Sequence, residues 1–175
     1  HDAVAGGFMS VGVKGTVLRG EVSRTAPDDP IDRGRRPSFW RGGVGLDRQL
    51  SSVVGLTAEV VYDGFGERRA ADYPLVLVSP RVRRGEVTSP GLMTAGGTVT
   101  WRFHPLGTLS TLALMNLTDA SVAINPIVSW SASSRLDLMA GGQVFVGRAP
   151  LLPGMPRSEY GGLGSAVVTG LKAYF

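Results

Sequence analysis

Cysteine is absent from this chain of 175 residues, which excludes a disulfide framework and any metal site built from thiolates. Long apolar runs are also absent, because no stretch reaches the roughly 18 consecutive apolar residues that a membrane-spanning helix requires. Apolar residues nevertheless make up 43% of the chain, and the mean hydropathy is slightly positive at +0.11. Mild hydrophobicity without long runs is typical of alternating β-strands.

Charged residues and histidines do not form the patterns that several function classes need. The net charge is +4, but the basic residues form neither a basic helix nor a patch interleaved with aromatics, so nucleic-acid binding is not indicated. Of the two histidines, only His104 lies within the fold, where it precedes Pro105 in a predicted turn. Because no nucleophile stands with a base, the sequence predicts no enzyme, no cofactor and no metal site.

Alternation of apolar and polar side chains predicts eight β-strands of about ten residues, which is the length that a tilted transmembrane strand needs. The first strand changes parity in its middle, which predicts a β-bulge there. The predicted strands are 8–24, 38–48, 53–62, 92–103, 108–117, 122–132, 136–147 and 164–175.

The predicted connections alternate between two kinds. Three long connections cover residues 25–37, 63–91 and 148–163, and the short turns include 49–52, 104–107 and 133–135. Outer-membrane barrels have this asymmetry, with long extracellular loops and short periplasmic turns. The predicted fold class is therefore all-β: a transmembrane antiparallel up-and-down β-barrel, one domain over residues 1–175, with both ends of the chain periplasmic.

The connection 63–91 carries an apolar segment, Leu75–Val78, between arginine-rich flanks. An apolar segment exposed to water needs cover. Since Pro80 favours a turn, we expect a short hairpin of 75–78 with 82–87 that extends the barrel wall. The alternative is that this connection folds into the lumen and constricts it.

The strand parities predict which side chains face lipid and which face the lumen. The residues on the apolar parity, expected to face lipid, include Leu56, Val60, Val99, Trp101, Ile124, Val128, Leu138, Val144 and Leu171. The charged residues on the opposite parity, expected to line the lumen, are Arg41, Asp47, Glu59, Arg102, Asp137 and Lys172. They would either tune the passage of polar solutes or form an ion-pair network that fills a small barrel.

The end of the chain resembles the C-terminal signal by which bacterial outer-membrane barrels are assembled. Gly170, Ala173 and Phe175 fill the glycine, apolar and terminal aromatic places of that signal, although Ala173 is smaller than usual. The resemblance implies that the barrel-assembly machinery and outer-membrane lipid are partners and that the protein resides in the bacterial outer membrane.

From about Arg19 onward, the chain also resembles the C-terminal half of larger porin-like proteins. The matching stretches include Leu18–Val22, Phe39–Trp40, Val61–Gly64, Trp101–Phe103 and Asn116–Ser121. This resemblance implies a channel for passive diffusion of small polar solutes, completed by additional N-terminal strands or by a homo-oligomer.

The alternative is a small closed barrel with a structural, lipopolysaccharide-binding or partner-binding role. Five loop arginines could bridge lipopolysaccharide phosphates or could simply be solvated. These are Arg33, Arg35, Arg36, Arg68 and Arg69.

Overall fold

The structure, a computed structural model, describes residues 2–174 and contains nine β-strands in one sheet. Each strand pairs antiparallel with its neighbours in chain order, so the predicted all-β, up-and-down fold class is confirmed. The strands are β1 (Ala3–Val13), β2 (Thr16–Ala26), β3 (Phe39–Ser51), β4 (Val54–Asp63), β5 (Met93–His104), β6 (Gly107–Asn116), β7 (Ser121–Ser133), β8 (Leu136–Val146) and β9 (Ala166–Ala173).

The predicted count of eight strands is wrong because the first predicted strand is a hairpin. Lys14 and Gly15, with φ of 47° and 77°, join β1 to β2. Positive φ at both central residues defines the type I′ turn that suits a two-residue hairpin. The parity change in 8–24 therefore marks a turn and not a bulge. Lysine is an unusual first residue for this turn, which hid it from sequence reasoning.

The odd number of strands also corrects the predicted placement of the chain ends. Ala3 pairs with Ala26 at the end of the sheet that carries the long connections, whereas Ala173 pairs with Leu136 at the other end. We call these the loop end and the turn end. Connections at the turn end are 14–15, 52–53, 105–106 and 134–135, and those at the loop end are 27–38, 64–92, 117–120 and 147–165.

The sheet is open. Within residues 2–174, β1 pairs with β2 alone and β9 pairs with β8 alone, so the two edge strands do not meet. The closed eight-stranded barrel is therefore not formed by this chain. Both edges leave a row of backbone N–H and C=O groups unpaired, and such groups readily pair with another strand.

The pairing register gives the sheet two chemically different faces. Directly paired residues in an antiparallel ladder point to the same side, so one parity can be followed from strand to strand. The nine apolar residues predicted to face lipid lie on one side, which we call the apolar face. It is uncovered: Val99, Leu138 and Leu171 are 44%, 41% and 67% exposed.

The opposite side, which we call the polar face, is covered at the loop end by the long connections. A small core there contains the buried residues Phe39, Phe65 and Val76, with Val82 and Val87 packed against them. Phe39 lies on the same parity as Arg41 and Asp47 of β3. The connection 64–92 therefore packs onto the polar face.

The connections at the loop end contain short helices, and the predicted hairpin of 75–78 with 82–87 is wrong. The helices are α1 (Pro30–Arg35), α2 (Tyr73–Leu77) and α3 (Pro80–Arg83), with a 3₁₀ turn at Ala70–Asp72. Each α-helix has proline in its first turn, where the missing N–H costs nothing. Asp29 and Ser79 cap α1 and α3 by accepting backbone N–H groups. Pro80 therefore starts a helix where we expected a turn.

We expect Gly66→Ala to destabilise the protein, because a Cβ at this position would lie 2.3 Å from the carbonyl oxygen of Gly91. Overpacking of this kind costs roughly 1–3 kcal/mol. Gly34→Ala in α1 is the matched control, since its Cβ would meet no atom within 4 Å. Urea unfolding followed by tryptophan fluorescence measures both. Equal stability of the two variants would contradict the close approach of Gly66 to Gly91 within the connection 64–92.

Candidate functional site

The six charged residues predicted to line a lumen all project from the polar face, but they do not form one cluster. Arg41 lies near the loop end, where it donates to Asp63 Oδ2 at 2.6 Å and to the carbonyl oxygen of Glu86 at 3.0 Å. Asp47 accepts from Arg19 and, at 2.9 Å, from the Thr57 hydroxyl. These contacts bind neighbouring strands and the folded connection 64–92 together.

The other predicted charges are spread towards the turn end. Glu59 and Arg102 are exposed and have no ion-pair partner among the described residues. Asp137 accepts hydrogen bonds from Ser131 and Tyr174, and the Lys172 ammonium lies 4.8 Å from the centre of the Tyr174 ring. The polar face is therefore a surface of mixed charge along its whole length, with both paired and unpaired groups.

Sequence reasoning missed the buried cation Arg81, which is 3% exposed. Its guanidinium forms ion pairs with Asp2, with Glu86 at 3.0 Å and with Asp32 at 3.6 Å. Asp32 is 1% exposed and also accepts from the Ser79 hydroxyl at 2.7 Å. We call these residues the Arg81 cluster. The ion pairs join the start of β1, α1 and α3, although the residues are far apart in sequence.

Aromatic rings enclose the Arg81 cluster and a second ion pair beside it. The Arg81 guanidinium lies 5.2 Å from the centre of the Phe39 ring and 5.6 Å from that of Phe65. On the same Phe65 ring, the Arg35 guanidinium lies at 4.7 Å and pairs with Glu67 at 2.7 Å. Cation–π contacts and buried ion pairs therefore hold α1 and the connection 64–92 against the sheet.

A second polar network pins the connection 147–165. The Tyr73 hydroxyl donates to Asp119 Oδ2 at 2.9 Å and accepts from the Asn116 amide at 3.0 Å. Glu159 Oε2 accepts from the same amide and from the Ser89 hydroxyl, both at 2.8 Å. We call this set the Tyr73–Glu159 network. It joins three connections at the loop end through one buried asparagine of β6.

Burial raises the pKa values of two acidic groups in and beside this network, Glu159 and Tyr160. Desolvation, reinforced by the negative charge of Asp119, raises the pKa of the Glu159 carboxyl above its ordinary value, although bonds from Ser89 and Asn116 act the other way. Desolvation and the nearby Glu159 carboxylate raise the pKa of Tyr160 to about 12. The network holds two carboxylates and no basic side chain, so a buried negative charge on Glu159 is unfavourable beside Asp119.

The residues of the predicted assembly signal lie on or beyond the edge strand β9. Gly170 lies on the polar face opposite Met139, and Ala173 lies on the apolar face opposite Leu136. Phe175 is outside the described residues. His104 accepts from the Leu106 N–H at 3.1 Å and stacks on Trp130 at the turn end, which fits its predicted role as a turn residue.

Comparison of the chain with protein-family models, with curated proteins and with solved structures gives no match. Among residues 2–174, no helix has the length and hydropathy to cross a membrane. The same residues contain no group of three or more His, Cys, Asp or Glu side chains placed to hold a metal ion. The features that bear on function are therefore the two faces of the sheet and the residues at its loop end.

Removal of Arg81 should be far more destabilising than removal of its exposed neighbour Arg84. Arg81→Leu leaves Asp2, Asp32 and Glu86 without their shared cation, and breaking a buried pair costs about 3–5 kcal/mol. Arg84→Leu removes one exposed pair and should change stability little. Urea unfolding midpoints compare the two. Similar midpoints would show that the Arg81 cluster does not hold the loop end.

Glu159→Gln and Glu86→Gln should shift stability in opposite directions. Because the pKa of Glu159 is raised in the folded state, its contribution to the free energy of unfolding is favourable at acid pH and is lost as the pH rises through that pKa. The Glu159→Gln protein should therefore be more stable than the parent at pH 8. The hydrogen bond from Arg84 lowers the pKa of Glu86, so Glu86→Gln should be less stable at pH 8, with the difference vanishing in acid. Unfolding midpoints from about pH 2 to 8 test both signs, because the contribution of Glu86 is lost only as the pH falls through its lowered pKa. A destabilised Glu159→Gln protein at pH 8 would contradict the assignment.

Proposed function

We propose that this chain is the C-terminal part of a porin-like outer-membrane barrel through which small polar solutes diffuse passively. The observation that carries the proposal is that the nine strands form one sheet with two chemically different faces. One face is apolar and uncovered, and the other carries mixed charges and a folded connection. In a transmembrane barrel, the first face contacts lipid and the second lines the lumen.

The apolar face supports a lipid environment because water is a poor solvent for it. Large side chains such as Val44, Val99 and Val144 are 66%, 44% and 45% exposed on this one face. Burial of apolar surface is worth about 25 cal/mol per Å², and contiguous exposed patches beyond a few hundred Å² mark interaction surfaces. Within residues 2–174, all the strands belong to one sheet and no second sheet covers this face, whereas lipid would cover all of it.

Aromatic side chains lie near both ends of the apolar face. Trp40 and Tyr62 lie at the loop end and are 55% and 44% exposed. Trp101, Phe103 and Trp130 lie at the turn end. The centre of the Phe103 ring lies 5.7 Å from that of Trp101 and 6.2 Å from that of Trp130. Amphipathic rings in two bands suit the two interfaces of a membrane. An aliphatic band lies between them.

The open edges favour the larger barrel over the small closed one. Nine strands remain an open sheet, with β1 and β9 each lacking a partner on one side. About eight strands close around a lumen filled by side chains, whereas about sixteen leave an aqueous channel. Further strands, from a longer chain or from a second copy, would pair both edges and widen the barrel.

The folded connection 64–92 sets the width of the proposed channel. It packs on Phe39 of the polar face through Phe65 and Arg81. This arrangement supports a constriction of the lumen near the loop end, with Arg41 and the Arg81 cluster at its margin. Paired charges there stabilise the constriction, and exposed Glu59 and Arg102 face the passing solute.

Replacement of Leu138 and of Met139 by arginine, one at a time, tests whether the apolar face contacts lipid or water. The two residues are adjacent on β8, are 41% and 44% exposed, and lie on opposite faces. Because Leu138 pairs with Trp130 of the turn-end aromatic band, Leu138→Arg should cost less than the roughly 2–4 kcal/mol of an arginine at the bilayer midplane, and Met139→Arg should cost less still. Unfolding of the protein reconstituted in lipid vesicles measures the difference. Equal tolerance of the two changes would contradict the proposed membrane orientation.

Deletion of 72–86 from the full chain should raise its conductance in planar bilayers. The deleted residues include no β-strand, so insertion should persist while the constriction opens. Deletion of the exposed turn 151–155 is the control and should leave conductance unchanged. Absence of any channel current from the parent protein, or folding of the parent in water without detergent, would overturn the proposed function.

A further inference from the structure

An open pocket at the loop end gathers four arginine side chains around an apolar wall. Arg68 and Arg69 come from the connection 64–92, and Arg148 and Arg157 come from 147–165. The pocket has a volume of about 660 Å³. Its remaining lining is mostly apolar and includes Leu117, Leu151 and Met155, together with Asp119. We call it the arginine pocket.

The arginines of this pocket differ from most others at the loop end in having no carboxylate partner. Each of Arg33, Arg35, Arg36, Arg41, Arg81 and Arg84 forms an ion pair. Arg68, Arg69, Arg148 and Arg157 form none with any residue of the described part of the chain. Four like charges that converge from two connections repel one another unless an anion joins them.

Asp119, the only acid of the pocket lining, is already occupied. Its Oδ2 accepts from the Tyr73 hydroxyl at 2.9 Å and from the Glu159 N–H at 2.8 Å. Its Oδ1 accepts from the Ser121 N–H at 2.8 Å. These three bonds orient the carboxylate into the Tyr73–Glu159 network. It cannot serve four guanidinium groups as well.

The apolar wall is built by a turn that the sequence specifies. Pro153 and Gly154 occupy the central positions of a turn in which the Met155 N–H donates to the Leu152 carbonyl oxygen at 2.9 Å. Gly154 has a φ of 81°, as the third residue of a type II turn requires. The turn presents Leu151 and Met155 to the pocket, and both remain exposed, at 68% and 56%.

We propose that the arginine pocket binds an anionic amphiphile: a molecule with a phosphate or carboxylate headgroup and an apolar body. Arginine matches such oxyanions with paired N–H donors, which supplies the headgroup contact. Leu117, Leu151 and Met155 supply the contact for the apolar body. Inorganic phosphate would use the first contact alone. The inference does not depend on whether the sheet lines a channel.

The test compares three probes by isothermal titration calorimetry on the full chain in a nonionic detergent, with blank micelles subtracted. Octyl phosphate, kept below its micellar concentration, should bind saturably. Inorganic phosphate lacks the tail and octyl glucoside lacks the charge. The affinity of each should be lower than that of octyl phosphate by about tenfold or more. Octyl phosphate that binds no better than either of the other two would overturn the proposal.

Matched double variants localise the binding. Arg68→Gln with Arg157→Gln should lower octyl phosphate affinity about tenfold or more. Arg48→Gln with Arg135→Gln removes the same charge at the turn end and should leave the affinity unchanged. Leu151→Gln with Met155→Gln should weaken octyl phosphate but not inorganic phosphate. Equal losses from both arginine pairs would overturn the site, since the binding would then follow net charge alone.

Competition with lipopolysaccharide identifies the source of the amphiphile. Displacement of octyl phosphate would support the site and assign it to a lipid of the outer leaflet. Undiminished octyl phosphate binding would support the site for a soluble amphiphile. Because these readouts are equilibrium binding and not conductance, failure of the pocket and failure of the proposed channel can be told apart.

Discussion

Arg81 is the residue on which the arrangement of the loop end depends. Its guanidinium is almost fully buried between two phenylalanine rings and is shared by Asp2, Asp32 and Glu86. A buried charge of this kind is tolerable only when it is paired, so the elements that supply the carboxylates must meet at the same place. That requirement joins β1, α1 and α3, and it holds the connection 64–92 against the polar face.

The apolar face of the sheet, in contrast, is not covered by any described part of the chain. Because directly paired residues of antiparallel strands point to the same side, most large apolar side chains gather on one face and most charged side chains on the other. The long connections all lie at the loop end, and those that pack on the sheet cover the polar face. Within residues 2–174, the apolar face remains uncovered and the outer edges of β1 and β9 remain unpaired. Lipid and additional strands are the partners that the proposed function names.

The strand pattern of β3 to β9 was predictable because most of these strands have a clear period of two, although the more apolar β6 had an ambiguous facing. The hairpin at Lys14 was not, because its turn lacks the usual asparagine or aspartate before glycine. The helices in 64–92 were missed for a related reason: Pro74 and Pro80 read as strand breakers, yet each occupies a helix first turn. Arg81 carried no sequence signal, since its partners lie in distant segments. The polar-face charges were predictable from parity alone, but their pairing was not.

Fluorescence quenching of the three tryptophans tests the central claim, which is that the apolar face contacts lipid. Trp40, Trp101 and Trp130 all lie on that face, two near the turn end and one near the loop end. In vesicles of brominated phosphatidylcholine, the account predicts strong quenching by the lipid and weak quenching by aqueous iodide. Strong iodide quenching without an effect of the brominated lipid would place the apolar face in water and contradict the account.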